Sequence, residues 1–169
     1  MVIIPPTIVK LHEQPLVFLA GPIKGAADWQ QEAITYIQPL NPHLLIANPR
    51  RPLNIDGDFT EEMYREQVDW ETHHLRHAGK WGVVLFWLAR ESTHFCNRAY
   101  AQTTRFELGE WKERHCRDNV KLVVGIEKGF TNEDYIRRRL SQDCPRIHVF
   151  DSLEHVCLTV SILVGPIFP

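Results

Sequence analysis

The chain has 169 residues, 44% hydrophobic and 24% charged, with a formal net charge of -2. That suits a single soluble domain spanning 1–169 with a sizeable core, and it excludes the basic footprint of a nucleic-acid binder; the triplet Arg137-Arg138-Arg139 reads as the exposed face of a short helix. No apolar run reaches membrane-spanning length and no basic-then-apolar leader opens the chain, so a cytoplasmic protein with no membrane partner is expected.

Met1 to Gln14, with its prolines, reads as an arm that covers a sheet edge or reaches another subunit. Pro15 to Ala20 is a buried strand ending at Gly21-Pro22, followed by a helix from about Asp28 to Gln38. His43 to Ala47 is a second strand, closed by Asn48-Pro49. After a loop from Arg50 to Gly57, Asp58 and Glu61 form a capping-box-like start to a helix ending near His77. Gly82 to Trp87 is the third strand, and a polar loop from Ala89 to Arg98 leads to the helix that carries Glu107. Lys121 to Ile126, Asn132 to Leu140, Arg146 to Phe150 and Ser152 to Leu163 continue the alternation as strand, helix, strand and helix. Continuous apolar strands separated by helices predict an α/β, flavodoxin-like (Rossmann-like) three-layer sandwich, a five-stranded parallel sheet with helices on both faces. The tail Gly165 to Pro169 is apolar and is expected to dock.

Two carboxylates stand out. Glu107 lies between Phe106 and Leu108 in a helix that opens just after a strand, where open α/β sheets bind ligands. A poorly solvated carboxylate there is a candidate nucleophile or base; the competing reading is an ordinary solvated helix glutamate. Glu71 falls on the stripe Tyr64-Val68-Glu71-Leu75-Ala78, which turns it inward, while Asp69 shares the outward face with Glu61, Arg65, Thr72 and Arg76. An inward glutamate is either ion-paired in the core or functional. Two carboxylates around one carbon are the arrangement used in glycosyl chemistry.

Other features are less specific. The turn Gly21-Pro22-Ile23-Lys24-Gly25 lets a ligand approach the backbone, with Lys24 either facing a phosphate or solvated. Trp29 and Trp87 are either nucleobase-stacking surfaces or core, and Arg50 sits at the carboxyl edge of the sheet. His73 and His77 share a helical face, but nothing near them completes a metal site. Cys96, Cys116, Cys144 and Cys157 form no CxxC pair and read as reduced thiols.

Over roughly residues 16 to 127 the chain resembles the nucleoside 2-deoxyribosyltransferase superfamily and its relatives, the 2′-deoxynucleoside 5′-monophosphate N-glycosidases. The matching motifs are Phe18-Leu19-Ala20-Gly21-Pro22-Ile23, then Glu71 ahead of Leu75, then Thr104-Arg105-Phe106-Glu107-Leu108-Gly109, the last being the most specific. The resemblance implies base exchange on 2′-deoxynucleosides, with purine and pyrimidine bases as the other substrates. Glu107 would be the nucleophile, and Glu71 the acid that orients it or the sugar. It implies no cofactor and no metal. Phe18, Gly21, Pro22, Lys24, Trp29, Arg50, Trp87, Gln102 and Thr104 are the expected substrate-binding positions, and a homo-oligomer with its sites near subunit interfaces is expected. Two departures matter. Ala101 stands where the family commonly has a base-binding aspartate, and Pro22 and Ala101 replace hydroxyl residues that hold phosphate in the glycosidases, which favours nucleoside over nucleotide.

Overall fold

The computed structural model describes residues 1–52 and 60–165. Its elements are β1 (Val2–Ile3), β2 (Leu16–Ala20), α1 (Trp29–Leu40), β3 (Leu45–Ala47), α2 (Glu61–Trp81), β4 (Val83–Leu88), α3 (Gln102–Asp118), β5 (Leu122–Ile126), α4 (Glu133–Asp143), β6 (Val149–Phe150) and α5 (Leu153–Val164). All pairings are parallel, in the order β1-β3-β2-β4-β5-β6. Without β1 this is the flavodoxin-like order, with the switch in direction lying between β2 and β4.

β2, β4 and β5 are buried at every position, which is why they read as unbroken apolar runs. Alternate residues of each strand feed two cores. Val17, Leu19, Val83, Leu85 and Trp87 face α1 and α5, where Ala33, Ile37, Val156 and Val160 meet them. Phe18, Ala20, Val84, Phe86 and Leu88 face the helices on the other side, against Trp70, Leu75, Ala78, Leu108 and Trp111. The result is the expected three-layer sandwich, with six strands rather than five.

The sixth strand comes from the arm. Val2 and Ile3 pair with Ile46 and Ala47, so the arm covers the β3 edge of its own subunit. α2 holds the rest of the arm through three ring N–H groups: Trp70 Nε1 donates to Thr7 O (2.8 Å), His73 Nε2 to Val9 O (3.3 Å) and His77 Nε2 to Gln14 O (2.8 Å). The two histidines on the exposed stripe are therefore structural donors.

α2 differs from its expected limits at both ends. Thr60 is the N-cap, accepting from Met63 N, while Asp58 lies outside the described residues. The helix also runs past His77 to Trp81. Gly79 does not stop it, because its missing side chain makes room for the Trp111 ring of α3. β6 keeps only Val149 and Phe150 of the expected strand, and α4 extends to Asp143. Cys116 and Cys144, expected as separate thiols, form a disulfide joining the end of α3 to the C-cap of α4, with Cα atoms 6.3 Å apart. Packing of both helices on one sheet face brings together two cysteines that sequence spacing keeps apart. The tail residues Ile167 and Phe168 lie outside the described residues.

Candidate active site

A cavity of about 690 Å³ opens at the carboxyl ends of β2, β3 and β4. That is within the range of small-molecule sites, and its position is the one the topology favours. Four segments wall it. The β2–α1 turn brings Gly21, Pro22, Ile23 and Lys24, and the end of β3 brings Pro49, Arg51 and Pro52. α2 contributes Tyr64, Gln67, Val68 and Glu71. The loop before α3 and its first two turns contribute Arg98, Ala101, Thr103, Thr104 and Glu107.

Both carboxylates reach the cavity, and their surroundings differ. Glu71 is held from behind: Gln67 Nε2 donates to Glu71 Oε1 (2.8 Å) and to Pro49 O (2.9 Å). The Gln67 carbonyl oxygen in turn accepts from Arg51 Nε (2.9 Å), whose Nη2 also bonds Met63 O and pairs with Glu66. Burial pushes the Glu71 carboxyl up, and the Gln67 hydrogen bond and the Arg51 charge pull it back. Glu107 has no hydrogen-bond partner among the described residues. Burial first, then the negative charges of Glu71 and Glu110, push it up from 4.5 to about 8. Glu71 thus has a hydrogen-bonded setting with the Arg51 charge behind it and Glu107 an unpaired one, and two carboxyl groups so differently placed suit different roles.

Helix phase explains the placement. On α2 the stripe Tyr64-Val68-Glu71 faces the cavity and therefore keeps Tyr64 and Val68 exposed, whereas Trp70, His74 and Ala78 form the adjoining buried stripe. Asp69 is exposed, as expected. On α3, Thr104, Leu108 and Trp111 are buried and Glu107 lies beside them. Phe106 does not shield Glu107; it is 77% exposed and points away. Ala101 enters α3 with φ 55°, a left-handed conformation that strains a non-glycine residue, and it lines the cavity.

Among the expected binding positions, Phe18, Gly21, Pro22, Lys24 and Thr104 line the cavity. Trp29, Trp87, Arg50 and Gln102 are not among its lining residues. Trp29 and Trp87 belong to the core on the α1/α5 face, and Trp29 Nε1 donates to Pro22 O (2.9 Å). Gly21 is required by that packing, since a side chain there would overlap the Trp87 carbonyl and the Trp29 ring. Arg50 braces the turn from outside, bonding Gln30 Oε1, Ala27 O and Ile23 O and pairing with Asp28. Gln102 is exposed at the start of α3. Sequence reading missed Gln67, Tyr64 and Arg98 as cavity residues. Tyr64 did stand on the recognised stripe, but as core; the others carried no pattern.

Residues 14–130 match the sequence profile described as "Nucleoside 2-deoxyribosyltransferase like", which covers well over half of the chain. The chain belongs to this family. A comparison with curated proteins gives no match. Membership makes the protein one of a group of glycosyl-transfer or glycosidase type, and the matched segment contains every residue that lines the cavity.

Proposed function

We propose that the protein moves 2-deoxyribose from one nucleobase to another through a covalent deoxyribosyl ester on Glu107. The observation that carries this reading is the pairing of Glu107 with Glu71 in the cavity at the sheet's carboxyl edge. At neutral pH Glu107 is mostly protonated, and its proton is well used on the departing base. The N-glycosidic bond breaks as the base takes that proton, and a carboxylate oxygen of Glu107 bonds to C1′. A ring nitrogen of a second base then attacks C1′, the ester bond breaks, and the proton of the incoming base returns to Glu107. Two inversions give net retention. Glu71, fixed by Gln67 and through it by Arg51, has the role of the carboxylate that stabilises the positive character C1′ develops. No metal or organic cofactor enters this sequence.

Incubation with deoxyinosine and adenine, followed by chromatography, tests the proposal. Deoxyadenosine is the expected product. Hypoxanthine released without a new nucleoside would replace transfer by hydrolysis.

A specific observation favours a second reading, hydrolysis of a deoxynucleoside 5′-monophosphate. Lys24 and Arg98 both line the cavity, and neither side chain has a carboxylate partner among the described residues. Water would take the place of the second base on the same ester. Parallel assays with deoxyinosine and its 5′-monophosphate separate the two.

A further inference from the structure

Of the aromatic residues that line the cavity, one has its ring free. Phe18 is 1% exposed and packs against Trp70, with ring centroids 5.9 Å apart, so it forms a floor rather than a platform. Tyr64 is 61% exposed, and its hydroxyl has no partner among the described residues. An aromatic ring left uncovered at a cavity wall is apolar surface that folding alone does not call for.

Its neighbours sharpen the point. Tyr64 shares its stripe with Val68, and Pro49 and Pro52 at the end of β3 line the same cavity. This part of the wall offers Val68 and the two prolines as apolar surface, with Arg51 and Gln67 as its polar groups. The part built from the β2–α1 turn and the loop before α3 carries instead Lys24, Arg98 and the hydroxyls of Thr103 and Thr104. Strand order sets the two apart, because β3 and β4 flank β2 on opposite sides. The carboxylates stand between them, Glu71 on α2 and Glu107 on α3. A sugar carbon seated at Glu107 thus has a polar wall for its hydroxyl-bearing side and an apolar wall for a planar group. From Glu71 to Tyr64 is two helical turns, about 10 Å along the axis, the span of a deoxyribose and its base together.

We infer that Tyr64, with Val68 and the two prolines, forms the nucleobase subsite, the Tyr64 ring stacking on the base. The inference rests on the nucleoside reading above. It also accounts for Ala101, because recognition by a π-face needs no aspartate and tolerates several bases. The subsite therefore discriminates weakly between purines.

Titration calorimetry on a catalytically silent Glu107→Gln background tests it, with deoxyinosine, free adenine and a base-less 2-deoxyribose as probes. Stacking on one aromatic ring is worth roughly 5- to 150-fold in affinity. Tyr64→Ala is expected to weaken deoxyinosine and adenine binding by at least about tenfold in that range, to leave the base-less sugar unaffected, and to keep the thermal midpoint, since the side chain is exposed. Tyr64→Phe and Tyr64→Trp should restore binding. Deoxyinosine affinity within about twofold of the parent in Tyr64→Ala would overturn the subsite while leaving the nucleoside reading intact. Absence of binding by every probe to the Tyr64 parent itself would overturn that reading, and the subsite with it.

Discussion

Replacing Glu107 by glutamine should make the protein more stable at pH 8 while removing its activity. In the unfolded chain Glu107 has its ordinary value of 4.5, and in the folded protein it is raised to about 8. Between those limits the unfolded chain releases a proton that the folded protein retains, so stability falls as pH rises. The contribution is fully present below pH 4.5 and is lost by the time pH passes 8. At about 1.4 kcal/mol per tenfold change, the whole window is worth on the order of 4–5 kcal/mol, and water at the cavity mouth together with coupling to Glu71 reduces this to roughly two-thirds. Glutamine keeps the shape of the protonated acid and does not titrate. Urea unfolding of both proteins at half-unit steps from pH 4.5 to 9 gives the difference directly, because other titrating groups cancel. The variant should gain on the wild type by about 1 kcal/mol per pH unit through the middle of the window. A difference that stays flat to within about 0.5 kcal/mol from pH 5 to 8 would refute the claim that Glu107 is held protonated by burial and by Glu71.

Glu107→Ala should lower base exchange by several orders of magnitude, and retention of a tenth of wild-type turnover, a loss of only about 1.4 kcal/mol in barrier, would remove Glu107 as nucleophile; a 2-fluoro-deoxyribosyl adduct on its peptide in denaturing mass spectrometry is the positive counterpart. The pH profile of kcat/KM should be flat near neutrality and fall above about 8, where Glu107 loses the proton meant for the leaving base. Glu71→Gln should move that fall to lower pH and cut turnover strongly, whereas Asp69→Asn, on the exposed face, should do neither; a rise through pH 8 in the wild type would mean that a separate group protonates the base. His74 is fully buried and depressed to about 4, chiefly by burial, so wild-type stability should fall as pH drops from 6.5 to 4, by roughly 2–3 kcal/mol, and His74→Phe should abolish that loss in acid unfolding curves. We further expect a homo-oligomer in which the exposed Phe106 beside the site is covered by a second copy; a fully active monomer in analytical ultracentrifugation would end that expectation.

How much the sequence discloses depends on how many neighbours a residue needs in order to show its role. β2, β4 and β5 are covered on both faces, so each must be apolar throughout, and a run such as Val83 to Leu88 needs no tertiary context to be recognised. Two-residue strands have no period: β1 exists only because β3 offers it an edge, and β6 shrinks to the two residues that meet β5. α2 carries two adjoining stripes, Tyr64-Val68-Glu71 toward the cavity and Trp70-His74-Ala78 toward the sheet. A period of 3.6 cannot say which apolar stripe meets protein and which meets ligand, so Tyr64 looked like core and Trp70 passed unnoticed. The two glutamates were legible because a carboxylate among apolar residues is costly to leave unexplained. Gln67 and Arg51 act on Glu71 through a hydrogen-bond chain linking α2 to the β3 exit, a relation that only the folded chain creates. The tryptophans misled for the opposite reason: Trp29 and Trp87 stand near the right strand ends in sequence but belong to the far face of the sheet.

The fastening of the arm by α2 bears on how the molecule breathes. Three ring N–H groups spread over two turns of the helix hold carbonyls at Thr7, Val9 and Gln14, while Val9 and Leu11 pack into the core that contains Trp70. Release of the arm would strip acceptors and apolar cover from the same stretch of helix at once, so neither part can loosen alone. Arm and helix form one cooperative unit of local unfolding, and Glu71 sits inside it. Amide exchange in the arm and in the middle of α2 should then run on a common clock, one that also sets how often Glu71 is out of place.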